Sequence, residues 1–168
     1  MLLRAAKPDD SLAVARVHVR SWQVGYKGLL PDQYLDQLKA EERARTYTFG
    51  SPDLLQPATM VAVEQDEICG FVTTAPARDS DAKGKGEICA LYVDPGHWQR
   101  GIGAALITAA RSCLAEQGFG AAVLWLLAGN TRGERFYRTD GWIPDGAQKV
   151  AEVWGVSVHE IRYQRLLP

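Results

Sequence analysis

The fold of this chain is constrained most by a strand-like run of residues that stops abruptly before a glycine-containing helix start. Residues 87–94 are rich in apolar and β-branched side chains and end in an Asp-Pro-Gly stop that begins at Asp94. Seven residues after Asp94, Gly101 and Gly103 open an alanine-rich run with helical character up to about Gln117. A strand, a crossing loop and a helix in this order predict a domain in which helices pack on a sheet.

The rest of the chain supplies the other elements of such a domain. The N-terminal part predicts a strand at 2–6, a helix with Asp9 or Asp10 as its N-cap, and one or two amphipathic helices at 31–49. The middle of the chain predicts a hairpin of 58–65 with 67–76, followed by a polar loop at 78–86. The C-terminal part predicts a buried strand at 121–128, a short helix at 130–141 and strands to the end, the last at 156–167. We interpret residues 1–168 as one α/β or α+β domain.

Composition excludes several classes of protein. The chain has 168 residues, of which 46% are hydrophobic, and it is therefore long and apolar enough to form one domain with a hydrophobic core. A formal net charge of -1 without a basic stripe argues against a nucleic-acid binder. The opening residues have too short an apolar run for a signal peptide, and no apolar stretch reaches about 18 residues. We therefore expect a soluble, cytoplasmic protein without membrane attachment.

Cysteines and histidines show neither a disulfide nor a metal-binding pattern. Cys69, Cys89 and Cys113 are an odd number at wide spacings, and the first two stand in apolar runs that predict buried free thiols. The histidines, which are His18, His97 and His159, have no partner at metal-ligand spacing. We expect no metal site.

The glycine pair admits several interpretations. A dinucleotide-binding Gly-x-Gly-x-x-Gly fingerprint is disfavoured, because Leu106 occupies the third position and the pair does not directly follow the strand. A Walker A loop is excluded, because no Gly-Lys-Ser or Gly-Lys-Thr occurs. The glycines could also serve only to turn the loop into the helix, and on their own they do not decide between these interpretations.

The same helix start is suited to binding an anion. The first turn of a helix has N–H groups without partners and carries the positive end of the helix dipole. Gly101 and Gly103 place no side chain in the way of an anion, and Arg100 adds a cation nearby. A pyrophosphate is a good fit for such a position.

Residues outside the glycine-containing loop help to decide between these interpretations of the glycine pair. Residues 87–110 followed by 126–142 resemble the GNAT superfamily of N-acetyltransferases. The matching positions are Leu91, Tyr92, Val93, Gly101, Gly103, Asn130, Phe136, Tyr137, Gly141 and Trp142. Trp98 departs from the pattern, because the acyl-CoA loop of the family has Gln or Arg there, and no side-chain role is carried over to it. The resembling segments span 87–142, a third of the chain, and the rest agrees in element order only.

The resemblance implies a fold and a cofactor. The fold would be a mixed, mostly antiparallel sheet of about six to seven strands with about four helices, splayed between 87–93 and 121–128. Acetyl-CoA would be the co-substrate, its pantetheine arm paired with the main chain of Leu91, Tyr92 and Val93 and in contact with Asn130. The pyrophosphate would be bound by the backbone N–H groups of Gln99, Arg100, Gly101, Ile102, Gly103 and Ala104.

The implied reaction is acetyl transfer to a primary amine by direct attack in a ternary complex. Tyr137 matches the family's tyrosine, and a phenol with a pKa of about 10 can protonate the leaving thiolate; its alternative is a tyrosine that packs in the core or against the coenzyme. Glu87 is the candidate base, acting directly or through water, and its alternative is an exposed glutamate at the strand edge. A main-chain N–H near Leu91 to Val93 would stabilise the oxyanion.

The acceptor is expected to bind beside the stretch 21–35. Trp22, Tyr26 and Tyr34 are aromatic residues that a cationic amine could contact; the alternative is that Trp22 belongs to the core face of its helix and the tyrosines pack. The sequence does not choose between small-molecule and peptide amines. A non-catalytic acyl-CoA-binding sensor on the same fold remains the alternative function. The alternating stretch 156–167 suggests strand pairing across a homodimer.

Overall fold

A seven-stranded sheet forms the frame of the computed structural model, which describes residues 1–53 and 55–168. The strands are β1 (Leu2–Ala5), β2 (Ala58–Glu64), β3 (Glu67–Pro76), β4 (Gly86–Val93), β5 (Ala121–Leu127), β6 (Ile143–Val153) and β7 (Val156–Leu166). Their order is β1-β2-β3-β4-β5-β7-β6, with β4 and β5 parallel and the other neighbours antiparallel. The predicted mixed, mostly antiparallel sheet is confirmed.

Five α-helices in the described residues cover the two faces of this sheet. They are α1 (Ser11–Gly25), α2 (Asp32–Asp36), α3 (Ala40–Ala44), α4 (Ile102–Glu116) and α5 (Thr131–Thr139). The number exceeds the expected four because the segment 31–49 forms two separate short helices. None of the described helices combines the length and the apolar character that crossing a bilayer requires.

The alternation of side chains along the strands creates a core on each face. Val72 of β3 packs with Ile102 and Leu106 of α4, whereas its neighbour Phe71 packs with Val14 of α1 on the opposite face. Successive strand residues point to opposite faces, so one strand serves both layers. The α4 layer also buries Trp142, Leu114 and Leu124 almost completely.

The N-terminus of α1 differs from the prediction. Asp10 precedes the helix but makes no side-chain cap to it. Its carboxylate instead accepts a hydrogen bond from the Lys7 N–H at 2.7 Å and forms an ion pair with Arg4 at 2.7 Å. The carboxylate is therefore engaged by the preceding turn and by β1, so Asp10 occupies the predicted N-cap position but its side chain does not cap the helix.

Strands β4 and β5 part soon after they begin to pair. They are in register only from Gly86 to Ile88 of β4, opposite Ala122 to Leu124 of β5. The register of β3 with β4 also shifts between Thr73 and Thr74, and such an irregularity bends a strand. This is the splay that the resemblance implied, and it opens a gap in the middle of the sheet.

The C-terminal hairpin of β6 and β7 contradicts the expectation that 156–167 pairs across a dimer. Strand β7 pairs with β5 on one side and with β6 on the other, so it offers no free edge to a second copy of the chain. The predicted pairing of 156–167 across a homodimer is therefore not available, and β6 is the edge strand on this side of the sheet. Pro144 and Gly146 interrupt the alternation of apolar and polar residues along β6, so the sequence pattern does not reveal this strand.

Candidate active site

A cavity of about 460 Å³ occupies the gap between β4 and β5. It brings together most of the predicted functional residues, which are Tyr26, Leu91, Tyr92, Val93, Gln99, Gly101, Ile102, Gly103, Ala104, Asn130 and Tyr137. Four predicted residues lie outside its lining, namely Trp22, Tyr34, Glu87 and Arg100. Trp98 and Arg132, to which the sequence assigned no role, do line it.

The loop from β4 to α4 is held in an unusual backbone conformation. The Asp94 carboxylate accepts the Gly96 N–H at 2.9 Å and pairs with Arg20 at 3.0 Å. Gln99 and Gly101 both adopt left-handed conformations, with φ of 62° and 81°. Such a conformation is costly for a non-glycine residue and is often found where backbone N–H groups converge on a ligand.

The first turn of α4 presents free N–H groups at the cavity. The first intrahelical bond runs from the Ala105 N–H to the Gly101 carbonyl at 3.0 Å, so the N–H groups of residues 102–104 lie ahead of the hydrogen-bonded ladder. Gly101 precedes the helix and has no side chain to cap them. The dipole of this 15-residue helix adds a partial positive charge at the same place.

Gly103 also has a packing role. A Cβ atom at this position would lie 3.2 Å from Cε2 of Phe136 in α5. The absence of a side chain therefore allows α4 and α5 to approach closely as well as leaving the N–H groups accessible. The structural and the anion-binding interpretations of the glycines are compatible.

The open edge of β4 supplies further main-chain groups. The Asp94 N–H donates to the Cys69 carbonyl of β3 at 2.8 Å. Since main-chain groups of successive residues alternate in direction, those of Leu91 and Val93 face away from β3 and toward the gap. The Val93 carbonyl already accepts hydrogen bonds from Trp98 and Ser21, so an extended ligand in the gap could pair with the main chain of Leu91 and with the Val93 N–H.

Tyr137 reaches the cavity from α5. Its ring is buried and packs edge-on against Phe136 and Trp142. Burial and the nearby Tyr92 phenol raise the pKa of Tyr137 above its ordinary value. The hydroxyl is therefore protonated at neutral pH and has a proton to donate.

Asn130 begins α5 as predicted. Its Oδ1 accepts a hydrogen bond from the Gly133 N–H at 2.9 Å, which satisfies one free donor of the helix start. The same residue lines the cavity. Its N-cap role is confirmed, and contact with a ligand is compatible with it.

Glu87 lies where β4 and β5 are still paired. Its side chain is 4% exposed and forms an ion pair with the Arg78 guanidinium at 3.0 Å. The Arg78 backbone N–H also donates to this carboxylate at 3.3 Å. Glu87 is therefore a buried, paired carboxylate next to the cavity rather than in its wall.

The three aromatic residues expected at the acceptor side divide into two kinds. Tyr26 lines the cavity, and its hydroxyl lies 3.3 Å from that of Tyr92. Trp22 is buried against Trp154, and the Tyr34 hydroxyl donates to the Trp154 carbonyl. The latter two belong to an aromatic cluster between α1 and the β6–β7 hairpin.

The cysteines are free thiols in different surroundings. Cys69 is buried, as predicted, and Cys113 is partly exposed. Cys89 is exposed and lines the cavity, so the prediction of a buried thiol is wrong there, because the parting of β4 and β5 uncovers it. Desolvation and the nearby Glu87 carboxylate raise the pKa of the Cys89 thiol to about 12.

The histidines have separate roles. His18 is buried, and its Nδ1 lies 2.8 Å from the Tyr47 hydroxyl. Burial and the Arg43 guanidinium hold the pKa of His18 well below its ordinary value. His159 pairs with Gln148 on the surface, and His97 lines the cavity.

Sequence comparison identifies the family. The profile of the acetyltransferase (GNAT) family matches residues 22–142. The chain belongs to this family. GNAT membership supports acyl transfer as its general activity. An uncharacterized N-acetyltransferase of Bacillus subtilis is 28% identical over 128 residues, which cover 76% of this chain and 72% of the relative.

Solved structures agree on the GNAT fold. The PaiA N-acetyltransferase of Thermoplasma acidophilum, solved with coenzyme A, superposes with a TM-score of 0.69 at 19% identity, covering 99% of each chain. The ribosomal-protein-alanine N-acetyltransferase of Brucella melitensis gives a TM-score of 0.68 at 19% identity and covers 99% of this chain and 100% of its own. At this level of identity the likeness concerns the fold.

Proposed function

We propose that this GNAT protein transfers an acetyl group from acetyl-CoA to a primary amine in a ternary complex. The observation that carries the proposal is the free first turn of α4 opening onto a cavity bounded by the splayed strands. The N–H groups from Gln99 to Ala104 would bind the pyrophosphate. The main chain of Leu91 to Val93, together with Asn130, would bind the pantetheine arm.

The carbonyl carbon of the thioester would then lie along the open edge of β4. The amine attacks this carbon, a tetrahedral oxyanion forms, and the C–S bond breaks to give the amide and the coenzyme A thiolate. An N–H of Leu91 or Val93 facing the gap can donate to the oxyanion. Such a donor is held in place by the β3–β4 ladder before the reaction begins.

Tyr137 is the proposed acid for the leaving thiolate. Its raised pKa keeps the phenol protonated before the reaction, so a proton is available to the sulfur as the C–S bond breaks. Proton transfer to sulfur yields free coenzyme A and prevents the reverse attack. The cavity wall position of Tyr137 gives its hydroxyl access to a bound thioester.

Glu87 is the proposed proton acceptor. An alkylammonium with a pKa of about 10.4 must lose a proton before it can attack. Because the carboxylate stands outside the cavity lining, we propose that it acts through a water molecule and not directly. Arg78 would hold the carboxylate in position during this step.

Direct attack is favoured over a covalent acyl-enzyme. Cys89 is the cysteine that lines the cavity, but a thiol with a pKa of about 12 is protonated near neutral pH. The thiolate is the nucleophilic form, so Cys89 is a poor acyl carrier. The amine acceptor itself would enter beside Tyr26 and Tyr92, and a small molecule or a peptide could both supply it.

A thermal-shift comparison with acetyl-CoA, NADH and ATP tests the cofactor assignment. Ligand at about 100 times its dissociation constant adds about 2.7 kcal/mol, and each kcal/mol raises the midpoint by about 2–4 °C for a chain of this size. A shift with acetyl-CoA alone, followed by thiol release with amines, supports the proposal. A shift only with NADH or ATP contradicts it. Acetyl-CoA binding without thiol release across polyamines, amino acids and peptides favours the sensor alternative.

A further inference from the structure

The charges around the cavity favour an anionic ligand with a contribution from α5. Among the described residues that line it, none is an aspartate or glutamate, and Arg132 is the one lysine or arginine. Arg132 belongs to the first turn of α5, across the cavity from the start of α4. A cation without a neighbouring carboxylate is a natural partner for a phosphate.

The loop itself does not supply this cation. Arg100, which the sequence suggested for the role, lies outside the cavity lining and approaches the Glu64 carboxylate at 3.5 Å. Its charge is directed toward β2. A pyrophosphate bound at the start of α4 would therefore have backbone N–H groups from the loop and no arginine side chain from it.

Trp98 and Arg132 form a contact that spans the cavity. The Arg132 guanidinium carbon lies 3.1 Å from the centroid of the Trp98 ring. Trp98 in turn donates its Nε1–H to the Val93 carbonyl at 2.7 Å, which ties the ring to the end of β4. A stacked guanidinium uses its flat face for the ring and keeps its N–H edges available. Partial desolvation lowers the pKa of Arg132, and no carboxylate among the described cavity-lining residues opposes this shift.

We propose that Arg132, positioned by stacking on Trp98, binds a phosphate group of the cofactor. This inference rests on the proposed use of acetyl-CoA. It gives a role to Trp98 at the loop position where the family pattern has Gln or Arg. The indole would act as a platform for a cation from α5, where the usual residue would act by itself.

The test compares ligands with and without phosphates. Arg132→Gln is expected to weaken acetyl-CoA binding by about 10- to 100-fold and to reduce its salt dependence, because one charge-assisted contact is lost. Affinity for S-acetyl-pantetheine, which carries no phosphate, should change less than about twofold. Arg135→Gln is the matched control, since Arg135 is exposed on the same helix and outside the cavity lining. It should leave both affinities unchanged.

Two further variants separate stacking from charge. Trp98→Phe keeps an aromatic face and is expected to retain most of the affinity, whereas Trp98→Leu should reproduce much of the loss seen with Arg132→Gln. If Arg132→Lys binds acetyl-CoA as tightly as the unmodified protein, a point charge suffices and the role of Trp98 is overturned.

The outcomes distinguish this inference from the proposed function. Failure of the unmodified protein to bind acetyl-CoA would overturn both. Normal binding by the unmodified protein together with unchanged affinity in Arg132→Gln would overturn the phosphate contact alone. An equal loss for acetyl-CoA and S-acetyl-pantetheine would show that Arg132 only maintains the shape of the cavity, and would also overturn the inference.

Discussion

Tyr137 and Cys89 both line the cavity, and the phenol of the one and the thiol of the other are protonated at neutral pH. Burial raises the pKa of the Tyr137 phenol, and desolvation beside Glu87 raises that of the Cys89 thiol. A protonated phenol can serve as an acid, whereas a protonated thiol is a poor nucleophile. The surroundings of these two side chains thus favour direct transfer to the amine over a covalent intermediate.

Removal of the phenol hydroxyl tests the role of Tyr137. We expect Tyr137→Phe to lower turnover at least about tenfold, because the departing thiolate loses its proton donor. The ring and its packing remain, so the dissociation constant of acetyl-CoA should change by less than about twofold. Steady-state thiol release and calorimetric titration provide the two measurements. Unchanged turnover would exclude the acid role and leave a packing tyrosine.

Neutralisation of Glu87 tests the base. In Glu87→Gln the amide can still occupy the site but cannot accept a proton, so we expect turnover to fall about 100-fold near neutral pH and to recover as the pH approaches the pKa of the amine. Pairing with Arg78 also has a structural role, so Arg78→Gln serves as the comparison. A pH–rate profile of Glu87→Gln that coincides with that of the unmodified protein would place the base elsewhere or in bulk water.

At the scale of elements, the candidate active site follows from how two strands and two helices meet. The splay of β4 from β5 leaves the main chain of Leu91 and Val93 without a strand partner on that side, although the Val93 carbonyl accepts hydrogen bonds from Trp98 and Ser21. The starts of α4 and α5 converge on the same gap. Gly103 lies at this convergence, next to Phe136 of α5. Its substitution therefore affects both the packing of the helices and the access to the free N–H groups.

A double substitution separates these two effects. Gly103→Val is expected to weaken acetyl-CoA binding at least about tenfold, because its side chain obstructs the first turn of α4. Phe136→Leu removes the atoms that a Cβ at position 103 would approach at 3.2 Å. If the double variant still binds weakly relative to Phe136→Leu, phosphate access is the cause. Full recovery of affinity would assign Gly103 to helix packing only.

For the whole molecule, His18 makes stability dependent on pH. Its side chain projects from α1 onto Phe71 and Tyr92 of the sheet, where burial and Arg43 lower its folded-state pKa well below the unfolded value of about 6.5. Below about pH 6.5 the unfolded chain takes up a proton that the folded state resists. The free energy of unfolding should then fall by up to about 1.4 kcal/mol for each pH unit until the folded His18 is also protonated.

Denaturant unfolding at several pH values tests this linkage. His18→Gln has no imidazole to protonate, so the stability advantage of the unmodified protein over this variant should shrink as the pH falls from about 7 to about 5. His159→Gln, which alters a histidine on the surface, is the control for the loss of an imidazole as such. A difference between the unmodified protein and His18→Gln that stays constant with pH would show that the histidine is not the cause.

Much of the architecture was predictable because its signals are local. The apolar run of β4, the stop at Asp94 and the glycines before α4 each depend on a few adjacent residues. The hairpin of β2 and β3 was equally visible, and its turn residues Gln65 and Asp66 both adopt left-handed conformations. Strand β6 was not assigned its own bounds, because Pro144 and Gly146 break the pattern by which strands are recognised.

The sequence by itself determined the order of elements, the anion-suited start of α4 and the GNAT motif, because backbone preferences and hydrophobic periodicity act between near neighbours. Only the tertiary structure decided which charges face the cavity. Arg100 turns to Glu64, Glu87 pairs with Arg78, and Arg132 stacks on Trp98. Arg100 and Glu64 are 36 residues apart in the sequence, and Arg132 and Trp98 are 34 residues apart. A long, flexible side chain can pair with any charge or ring that the folded chain brings within its reach, so local sequence does not specify these partners.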